Sequence, residues 1–94
     1  MGAETLAVEL SHVMALPERE VVRKGLFSLI EKEIRMAELE IADIRERYDV
    51  FSLEALYQAI QDGMLPEHPA WEDYIVWKNK EAHMNHLRQL VEKE

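Results

Sequence analysis

Cysteine is absent from the 94 residues, which excludes disulfide staples, thiolate zinc sites and cysteine nucleophiles. Only three glycines and three prolines punctuate the chain, so it has no glycine-rich phosphate loop and few places where a helix must break. Bases are scarce too: eleven Lys and Arg stand against nineteen Asp and Glu, a formal charge of −8. That balance argues against binding a phosphate backbone, which needs clustered cations. It favours a basic protein partner, because complementary fields speed encounter. No apolar run approaches the ~18 residues of a membrane span. Met1 to Leu16 lacks the basic start and long apolar centre of a signal peptide, so a cytoplasmic protein without membrane contact is expected.

What is present is a composition suited to folding, 48% apolar and 32% charged. The length fits a single domain with a modest core, for which pairing with a second copy is a common remedy. Charge is spread unevenly. Glu18 to Arg35 is close to balanced, whereas Met36 to Pro66 holds seven acids against Arg45 and Arg47.

Leu6, Val8 and Leu10 alternate with Thr5, Ala7 and Glu9, as in a strand, while Leu6, Leu10 and Val13 also suit a helix. Residues 1–16 therefore form an N-terminal segment, strand or helix, open to exchange across a dimer. Leu16-Pro17 marks its end. From Pro17 to Tyr48 the pattern is helical: Val22, Leu26, Ile30 and Ile34 on one side, then Ile34, Ala37, Ile41, Ile44 and Tyr48 in a seven-residue rhythm. Ser52 is a good N-cap for a short helix from Leu53 to Asp62, which Gly63 closes with a positive φ. A last long helix opens at Pro69 and carries Ala70, Tyr74, Trp77, Met84, Leu87 and Val91 at seam spacing. Lys80 and Glu81 stand where apolar residues are expected.

Residues 17–94 thus read as an all-α antiparallel hairpin, two long helices joined by a short one, with completion by dimerisation into a bundle expected. The expected core comprises Leu26, Ile30, Ile34, Ile41, Ile44, Tyr48, Trp77, Met84 and Leu87.

Chemistry is harder to find. His83 and His86 are three apart on the last helix, with Glu67, His68, Glu72 and Asp73 near its start. Carboxylate-bridged metal bundles use a Glu-x-x-His pair, which does not occur here, so no metal and no cofactor are expected. Carboxylate neighbours such as Glu31 and Glu33, or Glu72 and Asp73, diverge around a helix instead of meeting in a shielded cleft. Ser11, Ser28 and Ser52 lack a glycine-flanked elbow. An enzyme is not expected. Trp71, Tyr74 and Trp77 crowd into two helical turns. Trp71 and Trp77 stand ~120° apart around the axis, so one packs the hairpin and the other covers the turn against Tyr57 or Leu65, or anchors a partner. A ribbon–helix–helix reading of the start is disfavoured by Thr5, Ala7 and Glu9, an outward set with no base for phosphates.

Arg47-Tyr48-Asp49-Val50-Phe51-Ser52-Leu53-Glu54, then Asp62-Gly63, then Pro66-Glu67-His68-Pro69-Ala70-Trp71-Glu72-Asp73 resemble short, largely uncharacterised bacterial and archaeal proteins. In those a long helix ends in a Tyr-Gly-Val-like corner and a His-Pro-x-Trp-Glu-Asp stretch opens the last helix. The likeness runs from Leu16 to Leu90, with Asp49 where glycine is common. Some of these proteins look like antitoxins of toxin–antitoxin pairs. The resemblance implies a non-enzymatic, antitoxin-like interaction protein, a homodimer whose acidic helices meet a basic toxin. Its expected contact residues are Glu38, Glu40, Asp43, Glu46, Trp71 and Tyr74. A metal-binding helical bundle and a small DNA-binding regulator are the alternatives.

Overall fold

A computed structural model describes residues 2–93. It contains four helices, α1 Ala3–Met14, α2 Glu18–Tyr48, α3 Leu53–Gln61 and α4 Glu67–Glu92, and no strand among the described residues. The all-α class and the long–short–long hairpin are those expected from periodicity. The opening segment resolves as a helix.

Helix ends follow the local chemistry. Glu18 and Glu20 lie in the first turn of α2, and Arg45 and Arg47 in its last, each charge matched to the helix dipole. The side chain of Ser52 caps α3 by accepting the Ala55 amide at 3.1 Å. Three helices close through a left-handed residue: Ala15 (φ 54°) after α1, Asp49 (φ 53°) after α2 and Gly63 (φ 74°) after α3. In each, the next amide reaches back five residues, Leu16 to Ser11, Val50 to Arg45 and Met64 to Ala59, which satisfies carbonyls that the helix end leaves open. The Asp49 position is one where glycine suits the backbone best, and aspartate is among the few alternatives it tolerates. At the start of α4, His68 is extended (φ −111°, ψ 129°) and its peptide to Pro69 is cis, so regular helix begins at Pro69.

The chain divides into two compact units, residues 1–32 and 33–94, with the division inside α2. In the second unit α2 and α4 run antiparallel. Arg47 pairs with Asp73, Glu40 with Lys80, and Glu38 with Arg88, so numbers fall along one helix as they rise along the other. Ala37, Ile41 and Ile44 of α2, Leu56 and Ile60 of α3, and Ala70, Trp77 and Met84 of α4 form the core. Ile34, Tyr48, Val50, Leu53, Leu65 and Tyr74 pack around it. Trp77 is fully buried, with its indole N–H donating to Glu81 at 2.8 Å and Arg45 stacked 5.2 Å above its ring. Of the two residues that break the apolar stripe, Glu81 accepts from the core tryptophan and Lys80 pairs with Glu40 of α2.

Part of the expected core is corrected. Leu26 is 58% exposed, and Ile30 and Leu87 are only half-buried, outside the core cluster. Leu26 and Ile30 belong to the first unit, where no described residue is buried. Their four-residue spacing leads into the Ile34 stripe, but spacing marks a face without supplying its cover.

Candidate partner-binding site

The segment from Tyr48 to Trp77 contains no Lys or Arg, yet it holds six acids and six of the seven aromatic residues of the chain. Folding gathers much of it at the corner where α3 meets α4. Trp71 and Tyr74 stack with ring centres 5.1 Å apart and planes 16° apart. Tyr57 of α3 tilts against both, at 6.3 Å from Trp71 and 5.5 Å from Tyr74. The trio sits on a rigid base, because Leu56 and Ala70 beside it are fully buried. It remains open above: Tyr57 and Trp71 are each 40% exposed. Shallow grooves flank it. One is lined by Leu53, Glu54, Tyr57, Gln58 and Tyr74, the other by Ile60, Gln61, Glu67 and Trp71. Each groove therefore carries one exposed glutamate beside an aromatic ring.

A latch holds this corner to the end of α2. The Tyr48 hydroxyl donates to Asp73 Oδ2, and Arg47 Nη1 donates to the same oxygen at 2.8 Å. Burial first, then the bond to Asp73, pushes the Tyr48 phenol above its ordinary range. The hydrogen bond and charge of Asp73 hold the Arg47 guanidinium still more firmly protonated. Glu72 falls below the usual carboxylate range through its own backbone N–H, with the His68 ring adding to the effect. The Pro-Glu-His-Pro-Ala-Trp-Glu-Asp stretch thus has structural work at three positions: Ala70 packs the core, Asp73 latches α2 and Glu72 meets His68.

The model of the Uncharacterized protein MJ0235 family matches residues 1–93. The chain belongs to this family. The match carries no toxin–antitoxin association with it. No curated protein and no solved structure matches the chain.

For this MJ0235-family chain, the expected contact residues fall in two places. Trp71 and Tyr74 come together at the corner, with Trp77 packing the core and Trp71 leaning on Tyr57, as the 120° separation requires. The four acids of α2 do not form one patch. At 100° per residue, Glu38 and Glu40 flank the Ala37–Ile41–Ile44 seam from opposite sides, and each is held by α4, at 3.0 Å from Arg88 and 3.1 Å from Lys80. Asp43 and Glu46 lie on the outer face with no ion pair among the described residues. His83 faces Glu33 at 4.0 Å. Among the described residues no three His, Cys, Asp or Glu side chains converge as a metal site would require. Tyr57, Glu54 and Glu67 were missing from the expected contacts. The base-free run from Tyr48 to Trp77 was their signal in the sequence.

Among the described residues no helix is long and apolar enough to cross a membrane.

Proposed function

We propose that this chain is a non-enzymatic protein-interaction module whose α3–α4 corner takes up a basic segment of a partner protein. The observation that carries the reading is an open aromatic trio flanked by Glu54 and Glu67, in a stretch without a single Lys or Arg. An arginine side chain stacks on tryptophan or tyrosine and gains from the ring quadrupole, by ~0.5–1 kcal/mol at exposed sites and more when desolvated. Its guanidinium can at the same time meet a carboxylate in bidentate fashion. Tryptophan and tyrosine also dominate binding hot spots. Half-buried rings on a rigid base lose little conformational freedom on binding.

An antitoxin-like role, in which the partner is a basic toxin, is one form of this reading. Its support is the net charge of −8 and the likeness noted above. The α2 acids then contribute through long-range attraction and through Asp43 and Glu46, since Glu38 and Glu40 already have partners in α4.

The test is fluorescence anisotropy with a labelled arginine-rich peptide, titrated with the whole chain at two salt concentrations. Binding should weaken with salt and fall at least ~10-fold in the Tyr57→Ala/Trp71→Ala double variant, about 1.4 kcal/mol. Glu54→Gln/Glu67→Gln should weaken it as well. Equal binding by the aromatic variant, or equal binding of an acidic peptide of the same length, rules the corner out.

A further inference from the structure

We propose that residues 1–32 form the surface on which a second copy of this chain docks. Among the described residues of this unit none is buried, yet the unit is rich in large apolar side chains. Leu6, Leu10 and Val13 repeat at helical spacing on α1, and Val22, Leu26 and Leu29 repeat at the same spacing on α2; all six are exposed, Val13 by 83%. Seven of the twelve residues of α1 are apolar. A helix of this length is marginal in water without tertiary cover, and a unit this small cannot bury enough surface alone without a disulfide, a metal or a partner. Cysteine is absent.

Charge selects the occupant. Residues 1–32 carry five acids and four bases, whereas residues 33–94 carry fourteen acids and seven bases. Nearly all the net charge lies in the second unit, so two identical chains repel there and can approach through the first. A basic partner finds little to attract it in a balanced unit. An anionic lipid surface is also a poor fit, because amphipathic membrane helices set Lys and Arg on their polar face, and α1 has neither.

The area is sufficient. A fully buried aliphatic side chain removes roughly 100 Å² from water, so Leu6, Leu10, Val13, Met14, Val22, Leu26 and Leu29, exposed by 39 to 83%, together offer roughly 400 Å². With about 60% of an interface apolar, a patch built on them approaches the ~800 Å² per partner of a standard stable complex.

Sedimentation velocity on the whole chain through the micromolar range decides the matter, with circular dichroism to check that helix is retained. A dimer is expected. Leu26→Glu and, separately, Leu10→Glu should each weaken it at least ~10-fold, while Trp71→Ala leaves it unchanged. Because Leu26 and Leu10 already stand in solvent, neither change disturbs a packed core. The melting temperature of the unaltered chain should rise with concentration, as association requires. A chain that stays monomeric with a concentration-independent melting temperature overturns the proposal. So does a dimer indifferent to both substitutions. Peptide binding at the corner uses other residues, and its failure would leave this result untouched.

Discussion

Replacing Tyr48 by phenylalanine removes one oxygen and keeps the ring that packs against the core. The lost hydroxyl donates to Asp73 Oδ2 across the gap between the end of α2 and the start of α4. Hydrogen bonds to charged groups contribute ~1.5–3 kcal/mol. Here the acceptor keeps its bond to Arg47, and 19% of its side chain reaches solvent, which places the cost near the lower end, about 1.5 kcal/mol. For a unit of this size that shifts the urea midpoint by ~1–1.5 M at a slope of ~1 kcal/mol/M, and the melting temperature by on the order of 10 °C. Urea denaturation followed by circular dichroism reads the first number directly. A cycle with Asp73→Asn reads the coupling, expected at about 1 kcal/mol or more because the two side chains touch. A Tyr48→Phe midpoint equal to that of the unaltered chain, or strictly additive single changes, would refute the latch.

Alanine at a left-handed position is strained by roughly 1–2 kcal/mol, so Ala15→Gly (φ 54°) should stabilise α1 by about 1 kcal/mol, measured as slower amide exchange in residues 3–14. In a titration of absorbance at 295 nm, a component ionising above the free-tyrosine range should appear, and Tyr48→Phe should remove it. Because folding raises the Tyr48 phenol, its contribution to stability is full below the pH at which a free tyrosine ionises. It is lost as pH rises through the folded value, so alkaline unfolding should shift in the same variant.

The helices were legible because three local signals agreed: spacing, caps and the lack of breakers. Ser52 as a cap and Gly63 as a left-handed stop could be named from residue chemistry alone. Residues 3–14 could not, since Leu6, Val8 and Leu10 fit a strand as well as Leu6, Leu10 and Val13 fit a helix, and only the backbone decides between them. Leu26 and Ile30 were assigned to the core because they continue the Ile34–Ile41 stripe; whether a stripe is covered depends on where a second helix lies, which spacing does not encode. The density of acids marks α2 as acidic without giving their directions: Glu38 and Glu40 point to opposite flanks and reach Arg88 and Lys80. The aromatic corner was half visible. Trp71 and Tyr74 stood out by proximity, whereas Tyr57 joins them only through the fold of α3 onto α4.

The two tryptophans offer the most direct test of the corner as a binding surface, because their indole N–H signals report different places. Trp77 is buried and donates to Glu81, while Trp71 lies open beside Tyr57. In a nitrogen–proton correlation spectrum of the whole chain, adding the arginine-rich peptide should move the Trp71 signal progressively and leave that of Trp77 in place. Movement of neither, or shifts confined to the backbone around Glu38 and Glu40, would contradict the assignment.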